Sequence, residues 1–123
     1  MAKLVGLNLY RGRADRGQVA LDGGGSFVIA DQSRHGDVLV AVRPSAIGVS
    51  TKQPESVSAR NNWPATITGL TMLADRVRLD LDGPPVALAD VTPAAVAELS
   101  LDPGSQVWLS AKATDLEVYS PDR

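Results

Sequence analysis

Two short polar stretches of the sequence carry the residue types that an anion-binding site needs. The first, "SARN" (58–61), offers a hydroxyl, a guanidinium with donors in a fixed fork, a side-chain amide and several backbone N–H groups. The second, "SAKAT" (110–114), adds the cation of Lys112 at the end of an alternating segment, on the face opposite Val107 and Leu109. Such a set suits a tetrahedral oxyanion, which needs many donors, few acceptors and one or two positive charges.

A short helix could add to such a site. The segment "VTPAAVAELSLDPG" places Thr92 as an N-cap and Pro93 at the first helical position, which predicts a helix of about two turns. Its N-terminus would present oriented amides and the positive end of the helix dipole. By spacing alone, however, solvated charges remain the favoured interpretation of Arg60 and Lys112.

Short alternating segments must position these residues. In "DRVRLDLD" the alternation is strict, with Val77, Leu79 and Leu81 on one face and charged residues on the other. Similar segments recur along the chain, and breaks at "DGGG", "DGPP" and "DPG" supply turns between them. The sequence therefore predicts an all-β fold with one short helix, in the form of an OB-like small β-barrel.

The polar run "TKQPESV" predicts a join, or hinge, between two parts of the chain, residues 1–53 and residues 54–123. Two sub-barrels and one interleaved unit both remain open, because the likeness between the two parts is too weak to indicate a repeat. The opening "MAKLVGLNLYRG" is expected to be a strand cut from a longer chain.

Composition and charge exclude several classes of function. With 44% hydrophobic and 21% charged residues among 123, the chain has the composition of a soluble globular protein. A net charge of -2 gives no broad positive field, so nucleic acid is not an expected partner. The absence of cysteine excludes disulfides and thiolate metal sites, and His35 alone cannot form a multi-histidine metal site.

The sequence also lacks the signs of an enzyme or of a membrane span. No G-x-x-x-x-G-K-[ST] run is present, and "DGGGS" is better interpreted as a hairpin turn. The carboxylates are scattered and His35 lies in a polar loop, while Trp63 and Trp108 are expected to pack in the barrel or at an interface. No apolar run approaches the roughly 20 residues of a spanning helix, so we expect a cytoplasmic protein.

Longer motifs point to a family. The ordered segments "SARNNWPATITGL", "VRLDLDG" and "LADVTPAAVAELSLDPGSQVWLSAKATDLEV" resemble, over about residues 56–119, the molbindin (Mop-like) domain, the oxyanion-binding version of the transport-associated OB (TOBE) fold. Upstream, "LVGLNLYRGRA" and "DVLVAVRPSAI" look like the segment that follows the nucleotide-binding domain of ABC importer ATPases. The whole chain is therefore similar to the C-terminal accessory region of the ATPase of a molybdate importer.

The resemblance implies a set of oxyanion contacts. These are Ser58 and Arg60 with the neighbouring amides of Ala59 and Asn61, Thr92 at the helix start, and Lys112 with Ala113. In the family such sites lie between subunits, so the resemblance also implies a homodimer or higher homo-oligomer. Where some relatives have serine after the lysine, Ala113 leaves only a backbone N–H. The residues that follow "SARN", from Asn62 to Pro64, are expected to shape the turn and its packing.

As a function, the resemblance implies a regulatory domain that binds molybdate or tungstate and senses it at a subunit interface. It would not be an enzyme itself and would need no cofactor, since molybdenum enters only as the oxyanion. Its partners would be an ATPase domain and, through it, a membrane permease, in the cytoplasm. The alternative is a structural dimerisation module of an ABC ATPase without an occupied ligand site, while a free-standing store is disfavoured. Sulfate remains open as a ligand beside molybdate and tungstate.

Overall fold

The computed structural model describes residues 6–53 and 60–120, which form two antiparallel β-sheets of five strands each. The strands before residue 54 are β1 (Asn8–Asp15), β2 (Gln18–Leu21), β3 (Ser26–Val28), β4 (Gly36–Val42) and β5 (Gly48–Ser50). The strands after it are β6 (Arg60–Leu73), β7 (Arg76–Asp82), β8 (Ala87–Val91), β9 (Gln106–Lys112) and β10 (Glu117–Tyr119). Helix α1 (Pro93–Leu99) connects β8 to β9. The prediction of an all-β fold with one short helix is confirmed for these residues.

The two parts of the chain exchange a strand. One sheet has the order β10-β4-β1-β2-β3 and the other has the order β5-β9-β6-β7-β8. Strand β5 therefore pairs with β9 of the second part, and β10 pairs with β4 of the first part. Of the two arrangements left open by the sequence, the structure has the interleaved one, because neither sheet is complete without a strand from the other part.

We call residues 6–53 the first half and residues 60–120 the second half, because their backbones repeat the same pattern. The segments "VLVAVRPSAIGV" (38–49) and "VWLSAKATDLEV" (107–118) each form a long strand, a 3-10 turn and the exchanged strand. At the start of the turn Arg43 has φ -71° and ψ 142°, and Lys112 has φ -74° and ψ 140°. The structure thus shows an internal duplication, although the likeness between the two parts of the sequence is too weak to indicate a repeat.

Two buried asparagines lie at matching places in the halves. Asn8 is opposite Val42 in one sheet, and Asn61 is opposite Ala111 in the other. Their exposed fractions are 4% and 7%. The matching registers define which residues of the halves are equivalent, since Val42 and Ala111 each immediately precede the cation that begins the 3-10 turn.

Each asparagine binds the backbone of the other half. Asn8 Nδ2 donates to the Leu88 carbonyl over 2.9 Å, and the Leu88 N–H donates to Asn8 Oδ1 over 2.7 Å. Asn61 makes the same pair with Val28, over 3.1 Å and 2.7 Å. These side chains satisfy backbone groups that have no strand partner there, which is why polar residues are tolerated in the core.

The halves share one hydrophobic core. Phe27, of which 1% is exposed, makes edge contacts with Tyr10 at 5.4 Å and with Trp63 at 5.5 Å between ring centroids. Other fully buried side chains come from both sheets: Val19, Val40, Val42, Ile67, Leu79, Val107 and Leu109. The barrel-packing interpretation of Trp63 agrees with this burial, and its indole N–H donates to the Pro85 carbonyl over 3.1 Å.

Three segments have the local structure that the sequence predicted. Along β7 the residues with even numbers face outward and Val77, Leu79 and Leu81 are buried, which confirms the predicted alternation. Helix α1 begins after Thr92, whose hydroxyl accepts a hydrogen bond from the Ala95 N–H over 3.0 Å. The "DGGG" turn joins β2 to β3, and Gly24, with φ +105°, packs so closely on the "DGPP" loop that a Cβ would lie 3.2 Å from Pro84.

In the described ranges, no helix has the length and apolar character needed to cross a membrane.

Candidate anion-binding site

Two cationic residues meet at one end of the second sheet. Strand β6 begins at Arg60 and β9 ends at Lys112, and the antiparallel register makes these two residues direct partners. Lys112 lies on the face of β9 that is opposite the buried Val107 and Leu109, as the alternation of the sequence predicted. The structure therefore brings together two of the residues on which the resemblance depends.

Lys112 is exposed and has no ion-pair partner in the described part of the chain. The guanidinium of Arg78 differs, because its Nε and Nη2 bind the two carboxylate oxygens of Asp90 over 2.7 Å and 2.9 Å. These hydrogen bonds raise the pKa of Arg78 above its usual value. The charge of Arg78 is thus paired with a carboxylate within the fold, whereas Lys112 has no such partner among the described residues.

Three further residues lie beside this pair on the same face of the sheet. Ser110, two residues before Lys112 on β9, is opposite Asn62 on β6 and Gly48 on β5. A Cβ on Gly48 would lie only 2.6 Å from Ser110 Oγ, so the absence of a side chain there leaves room for the hydroxyl. The Asn62 Oδ1 atom is buried and has no hydrogen-bond partner among the residues that the structure describes. We call Gly48, Asn62 and Ser110 the polar row.

The other predicted contact residues are placed as follows. The Asn61 amide faces inward, where it binds Val28 and also donates to the Ala111 carbonyl over 3.3 Å, so its side chain is committed to the core. Ala113 is 3% exposed and directly follows Lys112, the N-cap residue of the 3-10 turn. Ser58 and Ala59 lie outside the described residues.

Thr92 is separated from the cationic pair. It follows β8, whose Val91 is opposite Val77 of β7, and Val77 is opposite Met72 near the far end of β6. Met72 comes twelve positions after Arg60 in the chain. A single chain therefore leaves Thr92 at the other end of the sheet from Arg60.

Sequence reasoning missed the polar row. Gly48 belongs to the exchanged strand β5, and its position beside Ser110 depends on a pairing between residues more than 60 positions apart. The sequence does contain a usable signal for this position. The segments "VLVAVRPSAIGV" and "VWLSAKATDLEV" align without a gap, and this alignment makes Gly48 the counterpart of Glu117. In the described ranges, no three side chains among His, Cys, Asp and Glu form a group that could hold a metal ion.

Comparison with known proteins assigns the chain to a family. Residues 57–118 match the TOBE domain model, which covers half of the sequence, and the chain belongs to the TOBE family. This confirms the resemblance to a TOBE or Mop-type domain, a class of binding domain without catalytic function of its own.

Two particular proteins are similar to this chain. The molybdate/tungstate import ATP-binding protein WtpC of Pyrococcus abyssi is 31% identical over 121 residues, which are 97% of this chain and 34% of the relative. The chain thus spans about a third of the length of that curated protein. The crystal structure of the cytoplasmic molybdate-binding protein ModG with molybdate bound has the same fold, with a TM-score of 0.81 and 22% identity over 93% of this chain and 96% of that one.

Proposed function

We propose that this chain is a regulatory domain of an importer ATPase and that it binds molybdate or tungstate at an interface between two copies. The observation that carries the proposal is the pairing of Arg60 with Lys112 at the end of β6 and β9. The relative WtpC, named for molybdate/tungstate import, and the fold shared with ModG support the choice of ligand.

The electrostatics favour a dianion at this end of the sheet. Lys112 on β9 is exposed and has no carboxylate partner among the described residues, and its register partner on β6 is Arg60. A bound oxyanion would supply the missing opposite charge, and two charges 4 Å apart interact by about 4 kcal/mol near a protein surface. Hydrogen bonds from charged donors to an oxyanion are also stronger than neutral ones.

The position of Thr92 favours a site shared between copies. Thr92 is exposed, but it lies at the other end of the sheet from Lys112 of its own chain. A second copy packed against the end of β6 and β9 would supply its own Thr92 and the first amides of α1. The proposed assembly is therefore a homodimer or a higher homo-oligomer, in which each site takes residues from two chains.

A shared site gives the ligand a way to regulate. An oxyanion bound between two copies stabilises the arrangement for which it has the higher affinity, and it would thereby bias the position of any attached ATPase domains. In the proposed setting, internal molybdate would inhibit further uptake. The ATPase domain, the permease and the cytoplasmic location belong to this proposal, as does the choice between molybdate and tungstate.

A thermal unfolding titration tests the proposal. A ligand that binds only the folded state adds about 2.7 kcal/mol at one hundred times its dissociation constant, so millimolar molybdate should raise Tm by several degrees. Tungstate should act similarly, and a chloride series at the same ionic strength is the control. An unchanged Tm at millimolar molybdate and tungstate would contradict the proposal.

The second candidate is a docking module without a ligand, and the burial of Ala113 in place of a serine favours it. The variant Arg60→Ala separates the two candidates. Loss of the molybdate effect with the oligomer intact, measured by analytical ultracentrifugation, supports the oxyanion site. Loss of the oligomer from a protein that shows no molybdate effect supports the docking module.

A further inference from the structure

The internal duplication provides two equivalent places in one chain, and they differ in chemistry. The turn that begins at Lys112 corresponds to the turn that begins at Arg43, and the φ and ψ angles of these two residues agree within 3°. Both places have a cation at the end of a strand, so the rest of their surroundings decides whether an oxyanion can bind. We call them the second position and the first position, after the halves that contain their cations.

The polar row has an apolar and acidic counterpart at the first position. Where Ser110 is opposite Asn62 and Gly48, the matching residue Ala41 is opposite Leu9 and Glu117. At the first position a methyl group thus replaces the Ser110 hydroxyl and an isobutyl group replaces the Asn62 amide. The carboxylate of Glu117 occupies the place that Gly48 leaves open at the second position.

The first position is also a small cavity of about 290 Å³. Leu7, in the place that corresponds to Arg60, lines it together with Arg43, and the carboxylates of Asp115 and Glu117 line it as well. A dianion placed there would face two negative charges and one cation. The unfavourable interaction with the carboxylates would offset the attraction to Arg43.

At the second position the polar groups have no hydrogen-bond or ion-pair partners among the described residues. Neither the Ser110 hydroxyl nor the Lys112 ammonium has a hydrogen-bond or ion-pair partner in the described part of the chain. The buried Asn62 Oδ1 has no hydrogen-bond partner among the described residues either, and a buried polar atom without a partner is rare in folded proteins. The Nδ2 group of the same amide also has no partner in the described part of the chain, and it carries two N–H donors.

From this contrast we infer that the polar row is part of the oxyanion site and that the first position is closed to oxyanions. Ser110 and Asn62 donate hydrogen bonds to the ligand beside Lys112, and Gly48 is the specificity-determining residue that keeps this space open. The inference rests on the proposed function and adds three residues to the contacts implied by the family resemblance. It also sets the stoichiometry at one oxyanion for each chain.

Isothermal titration calorimetry with sodium molybdate tests the inference through substitutions that copy the first position into the second. Ser110→Ala and Asn62→Leu should each weaken binding roughly tenfold, because each removes a hydrogen bond to a charged group. The double variant Gly48→Glu with Ser110→Ala should weaken it more than a hundredfold. This pair should fold, since the structure already has Glu117 beside Ala41 in the equivalent register.

A matched control comes from the first position. Glu117→Gln removes a carboxylate from the equivalent place and should leave the molybdate affinity within about twofold. Circular dichroism of each variant shows that the comparison concerns folded protein.

The possible results separate the inference from the proposed function. Affinities of Ser110→Ala and Asn62→Leu equal to that of the unchanged protein would overturn the role of the polar row. A stoichiometry of two molybdates for each chain, or a loss of affinity in Glu117→Gln, would overturn the closure of the first position. No binding of molybdate or tungstate by the unchanged protein would overturn the proposed function itself.

Discussion

The two halves of the chain have the same backbone but different surface chemistry. Features that the fold needs are present twice: the buried asparagine, the 3-10 turn and the exchanged strand. The residues around the two equivalent cations are not repeated, since Lys112 has Ser110 and Gly48 nearby where Arg43 has Ala41 and Glu117. The fold therefore does not require the residues around either cation. The difference between the halves shows which residues could give the surroundings of Lys112 a function of their own.

The halves also differ in how they connect β3 to β4 and β8 to β9. The second half uses helix α1, capped by Thr92, and the first half uses the short loop "ADQSRH" (30–35). In this loop the Asp31 carboxylate accepts hydrogen bonds from the N–H and the hydroxyl of Ser33. Among the described residues, the helix terminus is thus present in the second half alone, and the polar row surrounds the cation of that half alone.

The largest expected effect comes from the aromatic contact that joins the halves. Phe27→Ala should lower the free energy of unfolding by about 3–5 kcal/mol, because it leaves a cavity between Tyr10 and Trp63. Urea unfolding followed by tryptophan fluorescence and far-UV circular dichroism measures the loss. Val28→Ala, on the same strand but 42% exposed, is the control and should change stability by less than about 0.5 kcal/mol.

The same experiment tests whether the halves form one cooperative unit. Because each sheet contains a strand from the other half, both probes should report one transition in Phe27→Ala as in the unchanged protein. Two separate transitions would contradict the interleaved arrangement.

The next effect concerns the asparagines that are equivalent in the two halves. Asn8→Ala and Asn61→Ala should each cost about 2–3 kcal/mol, since each leaves a backbone N–H and a C=O of the opposite half unpaired. Equal losses would support the equivalence of the halves. Asn62→Ala is the matched control, and its loss of stability should be small because Asn62 Oδ1 has no hydrogen-bond partner in the described part of the chain.

A loss confined to one of the two asparagine variants would show that the halves are not energetically equivalent, even though their registers match. Chemical denaturation in urea is again the measurement, with the slope of the transition checked to be the same in all variants.

The sequence predicted the local structure well because local structure depends on short-range signals. The alternation in β7, the cap at Thr92 and the glycine turn after Leu21 all follow from neighbouring residues. The duplication escaped detection because the halves preserve burial and backbone angles with few identical residues, such as the asparagines Asn8 and Asn61. The exchange of β5 and β10 depends on pairing across the chain, which no local period specifies.

The candidate site likewise has features that the local sequence predicts and features that depend on pairing across the chain. Lys112 could be placed on an outward face from the alternation of β9 alone, and Arg60 at the start of a strand from the preceding polar run. Their direct pairing and the position of Gly48 beside Ser110 required the sheet register. The sequence also could not predict that the Asn61 side chain points into the core, because its hydrogen-bond partner Val28 belongs to the other half.

A smaller effect is expected from an ion pair that only the second half has. The side chain of Asp90 is 7% exposed and binds Arg78 through two hydrogen bonds and Arg76 over 3.1 Å. Asp90 comes two residues after Leu88, and Ala30 comes two residues after the matching Val28, so Ala30 is the equivalent residue of the first half. Asp90→Ala should lower the free energy of unfolding by about 1–3 kcal/mol, because it removes both hydrogen bonds of Arg78 to the carboxylate and the 3.1 Å ion pair of Arg76.

The exposed pair of the first half is the control for Asp90→Ala. Arg13 and Asp37 are 3.0 Å apart, but 74% of each side chain is exposed. Asp37→Ala should therefore change stability by less than about 1 kcal/mol. Urea denaturation at low and high salt measures both variants, and a larger loss in Asp37→Ala than in Asp90→Ala would contradict the assignment of the stronger pair to the second half.

The smallest effect concerns the loop that replaces helix α1 in the first half. The hydrogen bonds from the Ser33 hydroxyl and the Ser33 N–H hold the pKa of the Asp31 carboxyl below its usual value. A carboxyl with a lowered folded-state pKa stabilises the fold fully above its ordinary pKa, and this stabilisation is lost as the pH falls through the lowered value. Carbon-13 NMR titration of the Asp31 carboxyl should show the pKa moving back up in Ser33→Ala. The stability difference between the unchanged protein and Asp31→Asn should shrink over the same acidic range, whereas a difference that is constant with pH would mean that the loop is held by contacts other than this carboxylate.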